Sequence, residues 1–290
     1  MPFCQNPDCL NNNAIDSDWF VKIGYYVPKR TGVKVPRFKC NECGKTFSSR
    51  TDKPNAHQKM PEINKQLFGL LVSGVSLRRA AELLDVQYKT VLLHFNYLAK
   101  VAEQQHEKFL RSIKTEFVQI DELETFIHAR PCCVSVPMAV RVKTGEILGF
   151  AVAEMPAKGK LAAIGASPKY NWTKDRRAYE FQEMLKSFAG SLKPSITFRS
   201  DLNTSYAGWI AAVVPHAKLE QVKAKGGGKK APPGAPKGFD ELFAINNTFA
   251  RMRHDINRLA RKTWSTTKTI AGLKKHLWLY VAWNNKYKLK

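Results

Sequence analysis

From Pro61 onward the apolar positions fall at helical spacing. In "PEINKQLFGLLVSG", Ile63, Leu67, Leu70 and Leu71 share one helix face. "SLRRAAELLDV" predicts a second helix, with Ser76 as its cap. After a break at Asp85 and Val86, "YKTVLLHFNYLAKVAEQQ" predicts a third. Before this stretch, "DWFVKIGYYV" and "VPRFKC" alternate as strands do; beyond it the period returns to two. "FVQIDELETF" begins as a strand, with Phe117, Val118 and Ile120, and then runs into Asp121, Glu122 and Glu124. "VSVPMAVRVKTG" and "EILGFAVAEM" read as two strands joined at "KTGE", and "KDRRAYEFQEMLKSFAG" as a helix that stops at Gly190. "PSITFRSDLNTSY" gives a strand from Ile196 to Phe198 that ends in Asp201, and "HAKLEQVKAK" a last strand. "FDELFAINNTFARMRHDINRLARKTW" and "TIAGLKKHLWLYVAWNNKY" read as helices.

This order divides the chain into a small ribbon at 1–50, a three-helix helix-turn-helix module at 58–108 and an α/β domain at 115–290. The Gly/Pro/Lys tract at 225–238 is a charged loop inserted in the last domain. A strand, a hairpin, a helix and a further strand, with Asp ending the first and fourth strands, is the layout of a ribonuclease-H-like core. In that layout the two strands are neighbours and their terminal carboxylates meet.

Charge adds a partner to the picture. The chain carries 47 Lys plus Arg against 24 Asp plus Glu, a formal +23, which points to a polyanion, nucleic acid before an anionic membrane surface. Apolar stretches such as "FGLLVSGV" are too short to span a bilayer, and "MPFCQNPDCL" lacks a secretory pattern, so a cytoplasmic, nucleoid-associated protein is expected, with no membrane partner.

The cysteines indicate metal rather than disulfides. Cys4 and Cys9 in "CQNPDC" and Cys40 and Cys43 in "CNECGKTF" form two knuckles about thirty residues apart, the arrangement that closes a structural Zn2+ site with four thiolates. Gly44 permits the tight turn after the second knuckle. Cys132 and Cys133, in "PCCVSVPMAV", read as core residues of a strand.

Asp121 and Asp201 are the candidate catalytic acids. Carboxylates that face each other in a small space repel, and the arrangement persists when divalent cations bind between them. Two Mg2+ ions, or Mn2+, would serve phosphodiester displacement there. Neighbours on a strand alternate faces, so Glu122 should point away from Asp121; it is set aside as a supporting residue.

For DNA, the helix-turn-helix reading places Gln87, Tyr88, Lys89 and Thr90 at the start of the recognition helix, with Arg78 and Arg79 on phosphates. Arg251, Arg253, Arg258, Arg261 and Lys262 line the later basic helix and are candidates for strand contacts. The aromatics Trp264, Trp278, Tyr280, Trp283 and Tyr287 are expected to pack the last helix onto the core.

The whole order of motifs resembles one family. The cysteine knuckles, "CNECGKTFSSRTDKPNAHQK", the helix-turn-helix, "IDELETF", "SDLNTSY" and "RLARKTWSTTKT" together look like bacterial transposases of the insertion-sequence-one type, over nearly the full chain. The resemblance implies a DDE-type recombinase whose ribbon and helix-turn-helix recognise the element's terminal inverted repeats. Such an enzyme cleaves the element's ends and joins them to target DNA, acting as a homodimer or higher oligomer on double-stranded DNA. Asp121 and Asp201 fall on the first two catalytic acids. The third acid is replaced: counting back from "RLARK" lands on Asn246, whose amide oxygen can still ligate magnesium. Glu241 and Asp255 are the alternatives, with Asp255 turned away by two and a half helical turns. A catalytically degenerate, transposase-derived DNA-binding protein is the competing expectation.

Overall fold

The computed structural model describes residues 4, 6–13, 18–28, 32–51, 55, 58–223, 240–260 and 267–287. They fall into two compact units, Met1–Glu62 and Ile63–Lys290.

The first unit is an antiparallel sheet of β1 (Phe20–Tyr26), β2 (Val35–Cys40) and β3 (Thr46–Ser48), in that order. Its apolar centre is small. Trp19 stacks on Phe47 with ring centroids 5.1 Å apart, and Phe20 and Phe38 pack edge-on and stacked against them. So little buried area stabilises a fold weakly, which makes the adjacent cysteines important to this unit.

The second unit opens with α1 (Asn64–Val72), α2 (Leu77–Leu83) and α3 (Tyr88–Ser112). Gly74 breaks the first helix with φ +80, and the Ser76 hydroxyl caps the second by accepting from the Arg79 amide at 3.2 Å, as the sequence predicts. Leu67, Leu71, Val91, Phe95 and Leu98 form the core of these helices together with Leu279, from a helix near the carboxy terminus. α3 is longer than the sequence suggests. It runs past Gln105 to Ser112, and the added turns bury His106 and Leu110. The helices therefore share a compact unit with the α/β core, and the expected division between 108 and 115 falls inside it.

The main sheet holds β4 (Thr115–Phe126), β5 (Cys133–Arg141), β6 (Ile147–Phe150), β7 (Ala153–Glu154), β8 (Leu192–Ser200) and β9 (Lys218–Gln221). The order is β6-β5-β4-β8-β9, with β7 paired to β5. β4, β5 and β6 run antiparallel in turn, whereas β8 lies parallel to β4 and β9 parallel to β8. The result is an α/β fold with a mixed sheet.

Alternation along the strands gives the sheet two apolar faces. Val118, Ile120, Ala139, Ile196 and Phe198 pack against α5 (Arg177–Phe188) and α6 (Ser205–Ala211). Leu123, Val134, Val136, Met138 and Val140 pack against α7 (Phe243–Asp255) and α8 (Ile270–Asn284). A short helix, α4 (Leu161–Ala166), was not legible in the sequence.

Two expectations need correction. β4 does not stop at its acids: it pairs with β5 as far as Phe126↔Cys133, because the partner strand supplies hydrogen bonds along its whole length. The basic helix expected to run through "RLARK" ends at Asp255. Ile256 is extended (φ −112, ψ 94), and Asn257–Leu259 form a 3-10 turn whose Asn257 side chain donates to the Gly74 carbonyl at 2.7 Å. Arg258 thus lies on the turn, not on the helix. The tract 225–238 lies outside the described residues, as does Trp264.

Candidate functional sites

The parallel register of β4 and β8 brings the two candidate acids together. Their last pairs are Phe117↔Thr197, Val118↔Phe198 and Gln119↔Arg199. Asp121 lies two residues beyond that pairing on β4, and Asp201 two residues beyond it on the chain leaving β8. Gln119 and Asp121 share the α7 face of the sheet, since Val118 and Ile120 belong to the opposite core.

Burial pushes the Asp121 carboxyl up to about 6, and the charges of Asp201 and Glu122 push in the same direction. The Glu122 amide, which donates to Asp121 Oδ1 at 2.7 Å, and the Arg253 guanidinium oppose the rise. Asp201 Oδ1 accepts from the Asn203 amide at 3.1 Å, and the Gln221 side chain donates to the Asp201 carbonyl at 3.0 Å.

The neighbouring acids are used elsewhere. Glu122 accepts from the Ser135 hydroxyl at 2.6 Å on the α5 face, and burial raises its carboxyl. Glu124 pairs with Lys158 at 2.6 Å. Both lead away from Asp121, as strand alternation requires.

Asn246 sits on the first turn of α7, exposed. Its Nδ2 donates to Asp240 Oδ2 at 2.8 Å, and Asp240 Oδ1 accepts from the Leu242 amide at 2.9 Å. Of the alternatives to Asn246, the Asp255 carboxylate lies 2.9 Å from His254 Nδ1, and Glu241 stands in the turn before α7, where its backbone carbonyl accepts from Gln119 at 2.7 Å. Among the described residues, the four amino-terminal cysteines are the one group of three or more His, Cys, Asp or Glu side chains close enough to hold an ion. Sequence reading missed Gln119 and Asp240. The signal for Gln119 was a lone amide between Val118 and Ile120 in an apolar strand.

The cysteine cluster is compact. The four Sγ atoms lie within 4.8 Å of one another, with Cys4 and Cys43 3.4 Å apart and Cys9 and Cys40 3.7 Å apart. Tetrahedral zinc with Zn–S bonds of ~2.3 Å puts sulfur atoms ~3.8 Å apart, so the set fits a metal such as zinc. Gly44, with φ +69, closes the turn after Cys43. Burial pushes the Cys4 thiol up to about 12. At Cys40 burial is outweighed by the Asn11 side chain and the Cys43 and Glu42 amides, which take it down to about 6. The expectation of two strand core residues is met only in part: Cys132 is buried in the core but sits in the bend before β5, and Cys133 opens β5 half-buried.

Of the DNA candidates, Arg78, Arg79, Gln87, Tyr88 and Lys89 are exposed and Thr90 half-buried, around the turn where Asp85 takes φ +49 and α3 begins. Arg79 forms an ion pair with Glu82 at 2.7 Å. On α7, Arg251 stacks over the Trp283 ring at 5.1 Å. Arg258 departs from expectation as a surface cation: burial takes its guanidinium down to about 10, beside Tyr88 and His276. Arg261 and Lys262 lie outside the described residues. No described helix is long and apolar enough to cross a membrane.

Comparison with protein-family models finds no match, and comparison with curated protein sequences finds none.

Proposed function

We propose that this chain is a DNA transposase that binds the ends of an insertion sequence and catalyses metal-dependent strand cleavage and strand transfer. The observation that carries this reading is the juxtaposition of Asp121, on β4, and Asp201, just past the end of β8, each two residues beyond the last pair of these adjacent parallel strands. The strand order β6-β5-β4-β8-β9, antiparallel on one side of β4 and parallel on the other, supports a ribonuclease-H-like core.

Asp121 and Asp201 would hold Mg2+ or Mn2+, with Asn246 contributing its amide oxygen; their mutual repulsion is what a cation would relieve. When bound, the ions supply Lewis-acid stabilisation of charge on a phosphodiester. The chain's own residues do the rest. The exposed Arg78 on α2 and Tyr88 and Lys89 at the start of α3 meet the duplex, and the +23 charge draws in the DNA backbone. The cysteine ribbon, holding Zn2+, supports recognition of the element's ends. Strand exchange at two ends calls for a homodimer or higher assembly on double-stranded DNA, a nucleoid-associated role.

The test uses Asp121→Ala and Asp201→Ala in the full chain. Each should abolish magnesium-dependent cleavage of the element's ends and leave end binding intact; retained cleavage in either removes the metal-ligand assignment.

One observation favours a second reading, a DNA-binding protein without catalysis: Asn246 stands where the family's third acid is expected, already bonded to Asp240. An inert parent that gains strand transfer on Asn246→Glu would establish that degenerate state.

A further inference from the structure

We infer that Gln119 is the positioning residue that sets α7, and with it Asn246, against the Asp121–Asp201 pair. The inference rests on the catalytic reading above and names the residue that aligns its two halves. Gln119 stands two residues before Asp121 on β4, is almost fully buried, and lies on the same face of the sheet. Its side chain spends one polar atom on the first turn of the helix that covers that face and the other on the turn that leads into it. Oε1 accepts from the Ile245 amide at 3.0 Å, and Nε2 donates to the Glu241 carbonyl at 2.7 Å.

The placement of these two bonds is what gives them a consequence. Ile245 is the residue immediately before Asn246, so the strand position two before one ligand grips the amide one before another. Rotating or sliding α7 by a single residue would break both bonds and leave the buried Gln119 amide without its partners. Ile245, Phe249 and Met252 supply the apolar packing of α7, but apolar contact tolerates small shifts that a paired donor and acceptor do not.

Asp240 completes the alignment at the level of the side chain. By accepting from Asn246 Nδ2, it turns the amide so that Oδ1 is the atom left to act as a ligand. Gln119 sets where the helix stands, and Asp240 sets which way the amide points. A core residue serving packing alone would be satisfied by Leu or Met, and an amide there is a cost unless both of its groups are bonded. Here both are, one to the first turn of the helix that carries the third candidate ligand and one to the turn that leads into it.

The experiment is Gln119→Met in the full chain, read by Mn2+ binding through electron paramagnetic resonance and by cleavage of the element's ends against magnesium concentration. Removal of a group that orients a metal ligand weakens affinity by roughly 10- to 100-fold. The expected result is at least a tenfold weaker Mn2+ affinity and a higher half-saturating magnesium concentration, with end binding unchanged. Amide exchange should quicken at Ile245 while that of α8 stays at the parent's rate, which general destabilisation would not produce. Unchanged Mn2+ affinity and magnesium dependence would overturn the inference.

A second measurement needs no variant. In the parent protein, Mn2+ should slow exchange at the Ile245 amide, because coupling between the clamp and the ligand is reciprocal. If Mn2+ binds and leaves Ile245 exchange unchanged, the inference fails. Asp121→Ala separates the two ideas: if it too leaves Mn2+ binding and cleavage intact, the catalytic reading fails, whereas loss there beside an unaffected Gln119→Met removes only the role of Gln119.

Discussion

His106 and Tyr287, far apart in sequence, meet with Nδ1 and the phenolic oxygen 2.7 Å apart. His106 Nε2 donates to the Leu148 carbonyl at 2.8 Å, which leaves Nδ1 as the acceptor for the Tyr287 hydroxyl. Asn285 extends the network, donating to the Tyr287 oxygen at 2.9 Å and bonding both backbone groups of Ile147. The helix whose first turn is the candidate DNA reader is thus anchored at its far end to β6 and to the segment after α8.

Replacing His106 by Phe keeps much of the volume and leaves the Leu148 carbonyl and the Tyr287 hydroxyl without that partner. Urea denaturation of the full chain should show a loss of about 2–3 kcal/mol. An unchanged midpoint would mean that the network contributes packing alone.

The same histidine sets a pH dependence. Burial lowers His106 below its ordinary 6.5, and burial with the nearby Arg258 charge lowers His276 well below it. A depressed value means that the unfolded chain takes up the proton first. The stabilisation from these neutral imidazoles is therefore complete above about 6.5 and is lost as pH falls below it. Asp121, raised from 3.8 to about 6, acts oppositely: its contribution favours folding at low pH and is lost as pH rises through about 6. Between pH 8 and pH 5, acidification should cost His276→Leu less stability than it costs the parent, as read from denaturation midpoints at equal starting stability.

The ribbon should depend on metal. With a core of a few aromatic rings around four thiols, Met1–Glu62 needs a bound ion to stay folded, whereas Ile63–Lys290 has its own extended cores. One zinc per chain is expected by elemental analysis. Cys40→Ser, or a strong chelator, should release it and quicken amide exchange in β1 and β2 while exchange in β4 and β5 stays slow.

Basic residues that look alike in the sequence should separate by experiment. Lys89→Ala, at an exposed position on the first turn of α3, should weaken DNA binding and lower the salt slope by about one. Arg258→Ala should leave that slope unchanged and destabilise the chain, since Arg258 is half-buried and desolvation lowers its guanidinium. Filter binding across a salt series, paired with thermal unfolding, reads both.

Local spacing alone determined much of this protein. The cysteine knuckles, the Ser76 cap, the break before α3, the "KTGE" hairpin and the outward turn of Glu122 from Asp121 all follow from residues within a few positions of each other. There, periodicity and turn chemistry act directly. Tertiary structure decided the rest. β4 runs past its acids because β5 pairs with it to Phe126, and Asp121 meets a residue eighty positions away because β8 lies parallel in a particular register. Asn246 is turned by Asp240, α7 is held by Gln119, Arg258 is half-buried, and Leu279 joins the helical module to the α/β core. Each of these depends on which surfaces pack together, and a pattern of polar and apolar positions states only that a face will be buried, not what will bury it.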